Sequence, residues 1–591
     1  MEARSFYGKK KIPCRTRLPP EDGSDDSWLS DTDNEDADYN PPQQFNAPPD
    51  HDTSEESEEE QESVPASSKG VNRPVHWSKT SSSLSNDVPQ WKGAAHESEA
   101  VRSPIEYFQG FFDDNVFNLI VQQSNLYAVQ QNPNKPLALS RVELEPFLGC
   151  TVYMSIFQLP RSRLYWSAEC RLPVVADIMT RDRWEEIKSS LHFNDNLSMP
   201  PADSSPKDRL FKIRPLLEML LPKFEEIPQE QCLCVDEQMV PFKGHSSIKQ
   251  YLPKKPHKWG YKIFILCDSR GVVHSFDVYT GHIDQVPGFP DIGASGNIVI
   301  KLAQCVQPQL GHLLYFDNWF TSLKLLVTLA QRGIYALGTV RANRLQGCKM
   351  ASDTELRKRG RGSAEEYEAV VDNQKVIVVK WYDNRSVTTA STFAGAQPVS
   401  TVMRWDRREK KSVQVECPSA VVTYNKYMGG VDLLDALIAY YRIQLRSKKF
   451  YLKLFFHFLD MVIVVSWLLY RRDCQSLGVP KNKQRDLLKF RLGIAEALCK
   501  QGKDLSSKKR GRPSGSLQAQ LEMKKRRGPT SHIPNEDVRT DSTGHWPVVK
   551  DTRQRCKKPG CKGHTNVMCS KCNAHLCLNK NTNCFFDFHQ P

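Results

Sequence analysis

Apolar residues are scarce in this chain. They make up 39% of its 591 residues, few for a wholly globular protein of that length. One continuous core is therefore excluded, and several domains with unstructured ends are expected. The opening MEARSFYGKKKIPCRTR lacks the apolar stretch of an export signal, so the seventeen cysteines are expected to stay mostly reduced. Lysine and arginine are missing from residues 21–63, which hold seventeen Asp and Glu. The net charge is +13, so the remainder carries about +30, the electrostatic footprint of a protein that neutralises phosphates. No internal repeat of roughly 20–50 residues is present, which argues against a solenoid. The most apolar run is LFFHFLDMVIVVSWLL at 454–469. Its His457 and Asp460, with Lys453 beside them, would be costly in lipid, so the run reads as a buried helix. Neither a membrane nor a small-molecule substrate is expected.

What is present divides the chain. Residues 1–95, acidic and rich in Ser and Pro, read as disordered. Helical spacing of apolar residues covers 96–230, opening at Ser103–Pro104 with Glu106 as an N-terminal cap. Strand patterns then begin at 232. CLCVDEQMVPF alternates, and YKIFILCDSRGVVHSFDVYTG reads as two strands joined at Ser269–Arg270–Gly271. GHLLYFDNWF is a further strand, followed by a helix that closes at Gly333. The expected architecture is multidomain α/β. A mixed core over 231–335 carries a β-rich insertion over 336–418 and resumes with helices over 419–500. A basic linker (501–550) and a segment rich in Cys and His (551–591) complete it.

Asp236 stands where an apolar strand turns polar, and Asp317 stands at the exit of another. Asp432 and Asp435 lie at a helix start, and their spacing puts both on one face. Singly, each reads as an ordinary cap or dipole partner. Together they look like carboxylates gathered at one edge of a sheet. Such a set can hold two Mg²⁺ ions, which prefer hard oxygen ligands and support in-line attack on a phosphodiester. No His or Cys accompanies these aspartates at a ligand-like spacing.

The blocks VDEQMVPFKG, YLPKKPHKWGYKIFILCDS, FDNWFTS, GTVRANR and YNKYMGGVDLLD, in this order, resemble the transposase core of the piggyBac family. The resemblance runs from about Ser103 to the C-terminus. It implies an RNase H-like core with a β-rich insertion, flanked by a helical dimerisation and DNA-binding region and a zinc-binding cysteine-rich domain. It implies catalysis by Asp236, Asp317 and Asp432, with Asp435 in support. These would hold two Mg²⁺ while transposon ends are nicked, formed into hairpins, reopened and joined at TTAA targets by a homodimer. Asn318, Arg341 and Arg344 match positions near target DNA, and Lys254, Lys255, Lys258 and Lys262 match a phosphate-tracking surface. Phe450 stands in SKKFYLK where family members typically carry Trp.

Six cysteines crowd into 556–584. Thiolates and imidazoles at such short spacings suit tetrahedral zinc, and eight ligands allow two ions. An interleaved pattern assigns Cys556, Cys561, His575 and Cys577 to one site, and Cys569, Cys572, Cys584 and His589 to the other, with His564 as an alternative to His575. Disulfides are the competing reading. In the preceding linker, KKRGRP with Arg510 and Arg512 reads either as a minor-groove hook or, with KKRRGP, as a nuclear localisation signal. The expected function is a nuclear cut-and-paste DNA transposase, or a derivative that keeps its aspartates. The alternatives are a DNA-binding protein that no longer transposes and a zinc-dependent protein-interaction module.

Overall fold

The computed structural model describes residues 75–80, 88–94, 96–201, 208–253, 258–406, 409–500 and 539–590. The chain forms two compact units, residues 1–503 and 504–591.

The first unit is built on one ten-stranded sheet. In chain order its strands are β1 (Ser78–Thr80), β2 (Cys232–Pro241), β3 (Gln250–Tyr251), β4 (Trp259–Asp268), β5 (Val273–Val278), β6 (Leu313–Phe316), β7 (Tyr335–Thr339), β8 (Ala364–Val371), β9 (Gln374–Tyr382) and β10 (Ser386–Ser391). Their spatial order is β1-β8-β9-β10-β7-β6-β2-β4-β3, with β5 also on β4. The pairs β2–β4 and β4–β5 are antiparallel, whereas β2–β6 and β6–β7 are parallel. β4 and β5 turn at the anticipated Ser269–Arg270–Gly271, where Gly271 has φ +89°. β8 and β9 turn at Asp372–Asn373, both at positive φ (46° and 62°), the backbone that a tight two-residue hairpin requires. The strands of the β-rich stretch thus extend the central sheet, through β10 on β7, instead of forming a separate layer. A separate hairpin, β11 (Ser400–Asp406) and β12 (Lys411–Cys417), completes that stretch.

Successive residues of the central strands enter opposite cores, as the two-residue period demands. Leu233 and Val235 join Phe264, Leu314 and Phe316 on one face, while Cys234 joins Ile263, Ile265, Cys267, Tyr315 and Leu337 on the other. The helices are α1 (Pro104–Gln109), α2 (Asp114–Gln131), α3 (Arg141–Phe157), α4 (Pro173–Ala176), α5 (Arg181–Ser190), α6 (Arg214–Glu225), α7 (Ala294–Leu302), α8 (Leu323–Gln331), α9 (Asp353–Arg359), α10 (Ser419–Tyr427), α11 (Gly430–Tyr440), α12 (Phe450–Ser476) and α13 (Leu487–Lys500). α7 and α8 cover the Leu233 face; α10 to α13 and the N-terminal helices cover the Cys234 face. α1 starts as the sequence indicates, with the Glu106 carboxylate accepting the Ser103 N–H at 2.7 Å.

α12 is long and apolar enough to cross a membrane by length and composition, and 89% of its most apolar window is buried inside the protein. It is apolar all round because it is packed all round. Part of the region expected to be disordered is built into this unit. Residues 78–80 form edge strand β1 on β8, and Trp91 meets the ring of His312 at 4.7 Å. Lys79, paired with Glu365 at 2.6 Å, and the Trp77 indole, which donates to the Gln346 carbonyl at 2.9 Å, hold that strand.

The second unit contains a hairpin, β13 (Pro547–Arg555) and β14 (His564–Cys569), and a short helix, α14 (Cys584–Phe588). Its small core consists mainly of cysteines with Ala574, Leu576 and Phe588.

Candidate functional site

Asp236 and Asp317 come to adjoining positions. Val235 of β2 is paired in parallel register with Phe316 of β6, and each aspartate is the next residue. Asp236 lies two residues past Cys234 and Asp317 two past Tyr315, so both are on the face covered by α10 and α11. Neighbouring strands are about 4.8 Å apart, which sets the separation of these two positions. Asp236 accepts the Glu237 N–H at 2.8 Å. Asp317 accepts the Trp319 N–H at 2.8 Å, closing a turn over its own side chain. Burial pushes the Asp317 carboxyl above its ordinary range, the Glu237 charge adds to the shift, and the Trp319 N–H opposes it.

α11 supplies the remaining carboxylates. It starts at Gly430, where an added Cβ would lie 2.2 Å from the Asp268 carbonyl and within 2.9 Å of the Cys234 and Cys267 sulfurs. Only glycine lets this helix start against β2 and β4. Asp432 is exposed in its first turn and Asp435 is half-buried one turn on. Asp435 accepts from the Gln238 amide at 2.9 Å, and the Gln238 carbonyl meets Nε2 of His457 at 2.6 Å. Burial holds His457 well below its ordinary value, so the ring is neutral and Nε2–H donates. Neither Gln238 nor His457 was expected from the sequence. The signal for Gln238 was its place two residues past Asp236, on the same strand face. Among the described residues these carboxylates form no cluster with ligand atoms all within 4.8 Å of one another. Like charges at adjoining positions repel unless a cation lies between them. Carboxylate oxygens as the donor set, with Glu237 adding negative charge, fit a hard divalent cation such as Mg²⁺.

The basic residues divide. Lys258, Asn318 and Arg341 are exposed. Lys262 is placed over the rings of Phe264 (4.7 Å) and Trp319 (4.5 Å). Arg344 turns inward and donates to the carbonyls of Asn318, Trp319 and Thr321. Lys254, Lys255, Arg510 and Arg512 lie outside the described residues. Phe450 opens α12 with its ring 6.4 Å from that of Tyr261.

In the second unit two groups of four ligand atoms form, each with all atoms within 4.8 Å of one another. They are Cys556, Cys561, Cys577 and Cys584, and His545, Cys569, Cys572 and His589. This differs from the pairing expected from spacing: Cys584 joins the first group, His545 enters the second, and His575 and His564 belong to neither. The reasons are local. Phe585 N–H donates to the Cys577 carbonyl at 3.0 Å, which brings the start of α14 and Cys584 beside Cys577. Ser570 and Trp546 exchange bonds of 2.9 and 3.2 Å, which hold His545 against the Cys569–Cys572 turn. His575 sits in an antiparallel bridge with Met568, its ring buried and its Nε2 without a partner among the described residues. His564 is exposed on β14.

Both groups fit tetrahedral zinc. A Zn–S bond of about 2.3 Å implies S···S edges of about 3.8 Å, and Cys561 and Cys577 sulfurs are 4.0 Å apart. In the second group His545 Nδ1 is 3.4 Å from both Cys569 and Cys572 sulfurs, and His589 Nε2 is 3.4 Å from Cys572. The far nitrogens are also engaged: His545 Nε2 with Asp541 at 2.9 Å and His589 Nδ1 with the Phe585 carbonyl at 2.7 Å. Such outer partners fix the tautomer that leaves the inner nitrogen free for a metal.

A protein-family model described as Transposase IS4 matches residues 103–467. PiggyBac transposable element-derived protein 2 of Homo sapiens is 33% identical over 459 residues, which are 77% of this chain and 72% of that one. PiggyBac transposable element-derived protein 3 of Homo sapiens is 31% identical over 496 residues, 83% of this chain and 76% of that one. Among solved structures, a piggyBac transposase synaptic complex with hairpin DNA shares the fold with TM-score 0.57 at 20% identity, covering 81% of this chain and 97% of that one. On the matched span, the identity to these relatives and the shared fold, the chain belongs to the piggyBac-type transposase family.

Proposed function

We propose that this protein is a nuclear, metal-dependent DNA cleaving and joining enzyme, acting as a homodimer on transposon ends and TTAA targets. The observation that carries the reading is the pair Asp236 and Asp317, next to each other where the parallel pairing of β2 with β6 ends, with α11 bringing Asp432 and Asp435 against the same face. The order β5-β4-β2-β6-β7, three antiparallel strands followed by two parallel ones, supports an RNase H-like core. Asp236, Asp317 and Asp432 would hold Mg²⁺, which would activate the attacking hydroxyl and neutralise the leaving oxygen. The chain's own part is positional. The Trp319 N–H aims the Asp317 carboxylate, and the Asp435–Gln238–His457 chain ties α11 and α12 to β2. Two zinc ions, one on four cysteines and one on two cysteines and two histidines, would brace the C-terminal unit, whose Arg553, Arg555, Lys557, Lys558 and Lys562 suit DNA phosphates. KKRGRP and KKRRGP support nuclear entry.

The second reading is a DNA-binding protein that no longer transposes. Its support is that the human relatives carry transposable element-derived in their names. A cut-and-paste assay separates the two, with a donor carrying a marker between the flanking genomic ends of the gene. Marker integration at TTAA that Asp317→Ala abolishes is the expected result. Retained binding to those ends without excision by the wild type would establish the second reading instead.

A further inference from the structure

Arg341 and Arg344 are three residues apart and face different surroundings. Arg341 is exposed, with its side chain toward solvent, whereas Arg344 is half-buried. Its Nη1 donates to three backbone carbonyls of one turn: Asn318 at 3.2 Å, Trp319 at 2.6 Å and Thr321 at 3.1 Å. That turn begins at Asp317. Thr321 N–H and Oγ1 both donate to the Asp317 carbonyl at 3.2 and 2.8 Å, and the Trp319 ring stacks on Phe264 at 5.6 Å with Lys262 over it at 4.5 Å. The turn lies directly on β7, since a Cβ on Gly338 would meet Thr321 Oγ1 at 2.2 Å. Three carbonyls converging on one point repel one another and have no N–H partners within so tight a turn. A permanently charged guanidinium can meet all three, the two N–H groups of Nη1 being divided among them so that one is shared between two carbonyls.

The geometry points to Arg344 as a positioning residue for Asp317. It fixes the turn that carries this carboxylate, instead of meeting DNA phosphate as its place in GTVRANR suggests. The inference rests on the metal-dependent role proposed for Asp317. Arg344 acts through the backbone of residues 318–321, much as an outer-shell partner orients a metal ligand.

The test uses the full-length protein and three variants, Arg344→Ala, Arg341→Ala and Asp317→Ala. Two quantities are read: hydrogen exchange of the amides at 318–321, and the affinity for Mn²⁺ alone at the first unit, by titration calorimetry with the C-terminal unit already saturated with zinc. For Arg344→Ala, exchange should rise at 318–321 while the rest of the sheet stays protected. Mn²⁺ affinity should fall by about 10- to 100-fold, the range for loss of an outer-shell partner. Arg341→Ala should move neither quantity, yet weaken binding to a TTAA-bearing duplex. Unchanged exchange at 318–321 in Arg344→Ala overturns the proposal. So does faster exchange with unaltered Mn²⁺ affinity, and so does faster exchange spread over the whole sheet, which would make Arg344 a general stabiliser. A wild type that does not bind Mn²⁺, or binds it equally well as Asp317→Ala, would instead sink the metal-dependent reading. The exchange data alone would then decide whether Arg344 ties the turn.

Discussion

His274 of β5 is fully buried, and among the described residues neither of its ring nitrogens has a well-aligned partner. Burial, with the Arg472 and His312 charges, lowers its value to about 3 from the ordinary 6.5, while a weak interaction with the Ile227 backbone pulls the other way. In the unfolded chain the ring takes up a proton as pH falls through 6.5; in the folded one it does so only near 3. The stability that this group contributes is therefore complete above pH 6.5 and is lost as pH falls toward 3, by about 1.4 kcal/mol per pH unit inside that window. Replacing His274 by Leu removes the titration and gives up only the weak interaction with the Ile227 backbone, so stability at neutral pH should hold or rise. Urea unfolding of both proteins at pH 7 and pH 5 checks this, and an equal loss in the two would refute it. At this scale the sequence was readable where a residue broke its local pattern. Asp236 stood out because an apolar strand turns polar there, and Asp317 because it stands at the exit of another. Gln238 and His457 did not, because their pairing spans 219 residues and exists only after α12 packs under β2. Arg344 was legible as a basic residue, but its inward direction depends on a 3₁₀ turn at Ala342–Arg344 that composition does not specify.

Among the elements, α12 shows how an apolar run can carry charge. Asp460 lies at its centre, fully buried, with one oxygen paired to Arg491 of α13 and the other accepting the Ile443 N–H at 2.8 Å. Burial raises the Asp460 carboxyl, while the Arg491 charge and the Ile443 N–H oppose the shift. Arg491 is equally enclosed and also donates to Ser155 Oγ at 3.1 Å. One buried pair thus ties α12 to α13, to α3 and to the segment that leaves α11. The approach of α3 to α13 is close enough that a Cβ on Gly149 would meet the Cys499 sulfur at 2.5 Å and the Ala495 carbonyl at 2.9 Å. Asp460→Ala leaves an uncompensated guanidinium in the core, a loss of about 3–5 kcal/mol. The double variant Asp460→Leu with Arg491→Met removes both charges and should recover most of it, because a buried pair gains little over well-packed apolar groups. Urea midpoints of the two variants decide the matter; equal destabilisation would mean that the pair itself stabilises the fold. The sequence indicated that α12 was buried, since His457 and Asp460 rule against lipid. It did not indicate the partner, and it left β1 within the tail, because three strand residues without alternation do not show in composition.

For the whole molecule, the two units are held together by different physics. The first has two extensive apolar cores, one on each face of its sheet. The second buries little besides five cysteines, Ala574, Leu576 and Phe588, too small a core to offset the ordering of some fifty residues without help. Metal binding at the two groups of ligands would then supply folding free energy to that unit alone. Its ligand order is interleaved, with His545 and His589 enclosing the other group's residues along the chain, so each ion would brace segments that the other also holds. The cysteines were legible by spacing, because pairs two to five residues apart are conspicuous. His545 was not, since it stands twenty-four residues before Cys569 in a stretch read as linker and becomes a neighbour only once β13 pairs with β14. The distinction can be measured by zinc content. Wild-type protein should carry two zinc ions per chain, and His575→Ala should keep both, since that ring faces neither group. His545→Ala should drop to one and lose protection from hydrogen exchange at 541–546 and 569–572, while the first unit's exchange stays unchanged. Strong chelation of the wild type should extend that loss across the second unit and again leave the first intact. Two ions retained in His545→Ala with one lost in His575→Ala would restore the pairing that spacing alone suggests and overturn the sets of four built around Cys584 and His545.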